Sequence, residues 1–172
     1  MNEEYIYEDL SPASQCNADS FLDAKFWEHT VDNAILFVET FMQKEGLKTH
    51  TIMFDASNVD KIDLHVTGEF ERITHDVLFA GRHLYGIRYY VVANNKVAVS
   101  AITNTPERMT SFVNTSRHLQ DLYNELHRKA SNALTTKLKT VLNREGDYAL
   151  LREQFVSEAG YTFAADGTPL ED

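Results

Sequence analysis

Cysteine is almost absent: the 172 residues contain one, Cys16. No internal disulfide can form, which fits a reducing cytoplasm, and no Cys/His set has the spacing of a structural zinc site. Proline is scarce too. Pro12, Pro106 and Pro169 are the only three, and none marks an interdomain linker. Gly68, Gly81 and Gly86 stand too far apart to form a phosphate-cradling nest. No apolar run approaches the ~18 residues of a membrane span, and the acidic opening MNEEYIYEDL lacks the apolar stretch of a secretory signal. Bases are outnumbered, 16 against 26 acids, for a net charge of −10. Phosphate binding needs clustered Lys and Arg, so the balance argues against direct nucleic-acid binding. There is no Gly-x-Ser-x-Gly elbow and no zinc-protease helix motif, and no cofactor is expected.

The charge that is present is uneven. Residues 1–60 hold twelve acids and three bases, whereas 61–120 hold seven bases and five acids. The acidic front lies on the first of two long amphipathic patterns. Ser20 reads as its N-cap with Asp23 as capping-box partner, and the helix is expected from Phe21 to Glu45, stopped by Gly46. Ala24, Trp27, Val31, Ala34, Ile35, Val38, Phe41 and Met42 share one wheel face, with Glu28, Asp32 and Glu39 opposite. The second pattern opens at Thr105-Pro106 and holds its apolar stripe through Leu134, Leu138 and Val141 to about Asn143. A straight helix of ~37 residues spans ~55 Å, longer than a compact domain of this size, so its far end is expected to break near Ser131 or to pack on a second copy.

Between them lies a β-rich middle. Residues 49–55 and 61–67 read as strands joined by a polar turn at Ser57–Asp60, with Ile62, Leu64 and Val66 facing one way and Asp63, His65 and Thr67 the other. Residues 69–80 fit a helix ended by Gly81, with a strand as the alternative. IRYYVVA and KVAVSAI flank Asn94-Asn95, a hairpin signal in which asparagine tolerates the positive φ of a type I′ turn. A short helix over 148–158 closes at Gly160, and Tyr161–Phe163 adds a strand or anchor.

One constellation carries possible chemistry. Asp63 and His65 share a strand's polar face, Asp55 ends the neighbouring strand, and His75 follows. Carboxylates and imidazoles at a sheet edge could hold a divalent metal, with Asp63 and His65 as first ligands, or act as acid and base. Asp55 followed by Asp63-x-His65 resembles the restriction-type nuclease core. That core expects lysine where His65 stands, which leaves its water-positioning cation missing. His65-x-Thr67 resembles half of a two-histidine phosphoesterase signature, and no second His-x-Ser/Thr completes it.

The expected fold is α+β: an antiparallel sheet of about four to five strands flanked by a long N-terminal and a long C-terminal helix. The expected organisation is an irregular arm over 1–18, a single domain over 19–163 and a loose acidic tail over 164–172. The order of elements is similar to the small acidic chaperones of bacterial type III secretion, which implies a protein-binding role. The long final helix and the acidic front lead to the main expectation: a non-enzymatic, cytoplasmic, acidic module of the chaperone, adaptor or inhibitor type that binds another protein as a homodimer, through Glu28, Asp32, Glu39, Leu134, Leu138 and Val141. The alternatives are a metal-dependent hydrolase or nuclease using Asp55, Asp63, His65 and His75, and an acidic DNA mimic that blocks a DNA-binding protein.

Overall fold

The computed structural model describes residues 3–71, 88–100 and 106–170. In chain order the elements are α1 (Pro12–Lys44), β1 (Leu47–Asp55), β2 (Asp63–Phe70), β3 (Arg88–Val92), β4 (Lys96–Ser100), α2 (Pro106–Leu142) and α3 (Tyr148–Ala159). The fold is α+β, with one four-stranded antiparallel sheet in the order β1-β2-β3-β4. The chain divides into two compact units, Met1–Asn33 with Leu138–Asp172 and Ala34–Lys137, and both long helices contribute to each.

In the first unit, α1 begins nine residues earlier than Phe21. Ser11 is the cap: its hydroxyl oxygen accepts the Ser14 N–H at 3.2 Å, and Pro12 takes the first helical position, where its missing N–H costs nothing. Residues 12–18, expected in an irregular arm, are thus helical, and Asp23 is no capping partner but an ion-pair residue. Ala18 and Leu22 from α1 pack with Leu10, Val156 and Phe163. Phe21 meets Tyr161 and Phe163 edge-on at 5.1 and 6.1 Å. Tyr5 bridges to Phe163, and Phe163 in turn to Pro169. Residues 164–170, expected as a loose tail, are held down. The Ser14 hydroxyl donates to the Ala165 carbonyl and the Asn17 amide to that of Asp166. Gly167, at φ +86°, brings the turn so close that a Cβ there would overlap the Ser14 carbonyl. α3 ends where expected, at Gly160 in the left-handed conformation.

In the second unit the sheet buries one face. Leu64, Val66, Phe70, Tyr89 and Val91 point inward and are buried, as are Ala34, Val38 and Met42 of α1 and Leu119, Tyr123, Leu126, Ala130 and Leu134 of α2. The alternation read from residues 61–67 holds, although β1 starts two residues earlier than expected and β2 is shifted, running from Asp63 to Phe70. Gly68 sits where a side chain would strike the Lys48 carbonyl across the β1–β2 pair, beside an irregularity between Thr49 and Thr51. Asn94 and Asn95 both adopt positive φ, as the hairpin signal required. The last cross-strand pair is Val92 with Lys96, so the loop has three residues rather than two. Whether 72–80 form a helix or a strand lies outside the described residues.

α2 runs unbroken for 37 residues through Ser131. A polar row along it stitches the sheet's backbone. Gln120 accepts the Val97 N–H at 2.6 Å and donates to the Asn95 carbonyl. His127 Nε2 donates to the Leu64 carbonyl at 2.7 Å, and Thr135 accepts the Ile62 N–H at 3.2 Å. Among the described residues β2 and β3 pair at Gly68–Val91 and Glu69–Tyr90, and side chains serve backbone groups of β2 beyond these pairs. The Asn95 side chain supplies more: its amide donates to the Leu64 carbonyl, and its oxygen accepts the Tyr123 hydroxyl at 2.7 Å.

Candidate functional site

The outward face of the sheet gathers the residues singled out as candidate chemistry. Inward residues alternate with outward ones, so Thr51, Met53 and Asp55 of β1 lie beside Thr67, His65 and Asp63 of β2 in register. Asp55 and Asp63 are direct cross-strand partners, and His65 Nε2 lies 3.3 Å from Asp63 Oδ2. Three of the four candidate residues are therefore brought together, and His75 lies outside the described residues. The Ser57 backbone N–H, bonded at 2.8 Å, and the Ser57 hydroxyl hold the Asp55 carboxyl below its ordinary value.

All three side chains are open to water, with His65 47% exposed and Asp63 67% exposed. Among the described residues no three His, Cys, Asp or Glu side chains are placed to share a metal ion. What the site offers is a solvated carboxylate pair and an imidazole on an open face, without the burial that tunes a catalytic acid or base. Thr51 and Thr67 share a hydrogen bond of 2.6 Å. Further across, Arg88 and Glu69 approach to 3.7 Å. Met53 stands in the middle of the β1 row at 65% exposure, and Val92 is exposed on the same face. Met53 went unremarked in the sequence because a methionine in a strand reads as core. Its alternation against Ile52 and Phe54 was the signal that it points out.

The helix residues expected to form an interface divide. Glu28, Asp32 and Glu39 are exposed on α1, and Glu28 accepts a 3.0 Å hydrogen bond from Lys25. Leu134 and Leu138 are fully buried in the folded chain, and Val141 is half-buried, so the two leucines serve the core rather than a surface. The exposed apolar residues on helices, Leu36, Leu122 and the adjacent Leu150 and Leu151, are of the kind ordinary surfaces carry.

A second constellation lies in the first unit. A cleft of about 480 Å³ is lined by residues that include Tyr7, Asp19, Asp23, Arg144, Tyr148 and Arg152. The Arg152 side chain is only 18% exposed. Its Nε donates to Asp23 at 2.7 Å and a terminal nitrogen donates to Asp19 at 2.8 Å. Burial pulls its pKa down, but the bonds to the two carboxylates outweigh this and raise it. The Tyr7 hydroxyl donates to Asp19 at 2.7 Å, and burial together with that carboxylate raises the phenol's pKa, with Arg152 partly opposing. Arg144 completes the chain at 3.2 Å from Asp23. Because Arg152 is already occupied by its own carboxylates, the network joins the short turn at Tyr7–Asp9 to α1 and α3 and does not offer a bare guanidinium to an anion. The sequence held no sign of it, since Asp19 and Asp23 are far in sequence from Arg152.

No protein-family model matches the chain, and no curated protein or solved structure is significantly similar to it. Among the described residues no helix is long and apolar enough to cross a membrane.

Proposed function

We propose that this protein is a non-enzymatic module that binds protein and works as a homodimer, making its contacts through the sheet. The supporting observation is the outer side of the sheet: no helix among the described residues covers it, and Met53 stands exposed among polar residues in the middle of β1, its end strand. Its charges also support the reading. Lys48, Arg88 and Lys96 balance Asp55, Asp63 and Glu69 on a chain whose net charge is −10. A locally neutral face is where a strongly acidic chain repels an identical copy least. A cytoplasmic setting goes with this role, since Cys16 is exposed and unpaired. Sedimentation equilibrium tests the reading. A species of twice the chain mass is expected, and a monomer at every concentration up to roughly 1 mM, the weak end of specific association, contradicts the homodimer.

A further inference from the structure

We propose that two copies join edge to edge along β1, in antiparallel register about a two-fold axis at Met53, to form one continuous eight-stranded sheet. The proposal rests on the protein-binding reading and adds the partner, the strand and the register. Among the described residues β1 ends the strand order and, at nine residues, is the longest strand. A terminal strand carries backbone donors and acceptors that its neighbour does not use, and these template pairing unless something blunts the edge. In β1 the blunting devices sit in the first half: Lys48, His50 and the irregularity between Thr49 and Thr51. From Thr51 to Asp55 the pairing with β2 is regular, without proline and without charge until its last residue.

That five-residue segment is complementary to itself. About Met53, each Thr51 faces Asp55 of the second copy, so a hydroxyl donor meets a carboxylate. Ile52, half-buried, faces the equally half-buried Phe54 of the second copy on the inner side, where pairing extends the core. Met53, the most exposed large apolar side chain in the described residues, faces its own counterpart on the outer side. A shift of one residue would set inward positions against outward ones. A shift of two would leave Met53 against Thr51 or Asp55. Opposite charges also mark the strand's ends, Lys48 at one and Asp55 at the other, and antiparallel pairing brings the positive end of one copy towards the negative end of the other.

Charge at the axis provides the test. Met53→Glu and Met53→Lys each place like charges against each other, and each should weaken dimerisation at least tenfold in sedimentation equilibrium. An equimolar mixture of the two should restore a mixed dimer. Dimers that both variants leave intact would overturn the β1 register while leaving the homodimer standing, whereas a wild-type monomer throughout the dilution series overturns both. A second measurement does not depend on tolerance of a charge. In a Cys16→Ser background, Met53→Cys should be linked into a covalent dimer by a short bismaleimide, and Val92→Cys, on the same face but away from the axis, should link far more slowly. Equal rates at the two positions contradict the axis.

Discussion

The two units of this chain use the same kinds of charged side chain to opposite ends. In the first, Arg152 is drawn out of water and held by Asp19 and Asp23 at 2.8 and 2.7 Å, with the Tyr7 hydroxyl closing on Asp19. In the second, Arg88 and Glu69 lie 3.7 Å apart and Lys48 and Glu71 3.9 Å apart on the outer face of the sheet. Charges taken from water must be paired and bonded, and the pairing then fixes the elements that carry them. Charges left in water contribute little to stability and keep a surface soluble and selective. The acidic balance of the chain is therefore not one property. Part of it welds termini to helices, and part of it decorates a bare face.

The largest effect expected from breaking this contrast lies in the first unit's core. Phe163 is fully buried and receives the Tyr5 strand on one side and the Pro169 turn on the other. Phe163→Ala should cost about 3–5 kcal/mol, as large-to-small changes in a packed core do. Trp27, the only tryptophan, lies in the same unit and reports the change in urea unfolding followed by fluorescence.

Next comes the ion network. Arg152→Ala strands two carboxylates that remain partly solvated, so the loss should be about 1–3 kcal/mol, below that of a fully buried pair. Arg88→Ala on the sheet face should leave the urea midpoint within error of the parent chain. Equal losses from the two substitutions would erase the distinction between the units.

The smallest effect sharpens the contrast through pH. The phenols of Tyr7 and Tyr89 are held above their ordinary value of 10.0, chiefly by burial. Burial raises the Tyr123 phenol further still. A proton bound more tightly in the folded chain than in the unfolded one contributes stability that is complete below the unfolded value and is lost as pH rises through the folded value. Thermal stability should therefore hold below about pH 10 and decline above it. Tyr7→Phe should relieve a small part of that decline. A melting temperature that is flat from pH 9 to strongly alkaline solution, on the order of pH 11.5, would contradict this account.

Local chemistry made much of the fold legible. The alternation at Ile62–Thr67, the paired asparagines of the hairpin, Pro106 at the start of α2 and Gly160 at the end of α3 each act within a few residues, and each is found where the pattern placed it. The misreadings share a cause. Ser11-Pro12 and Ser20 both look like helix starts, and the choice is made by Leu10, Ala18 and Phe163 packing together across the length of the chain. Ser14, Ala18, Leu22 and Phe26 are buried at strict four-residue spacing, a stripe that drifts about 40° per step around a helix. One wheel drawn over the whole segment therefore put exposed Ala24 on the buried face. The role of His127 was not legible, because no sequence pattern shows that the Leu64 carbonyl needs a donor there. The polar trio Asp55, Asp63 and His65 was legible from alternation and register, whereas Arg152 and its carboxylates meet only in three dimensions.

Hydrogen–deuterium exchange at low and high protein concentration tests the central claim most directly. Those backbone amides of Thr51–Asp55 that point away from β2 should gain protection as concentration rises, while those of Tyr5 and Phe163, already bonded to each other within the chain, should not change. Concentration-dependent protection on residues 134–141 or in the first unit, with Thr51–Asp55 unaffected, would contradict the assignment of the contact to the sheet.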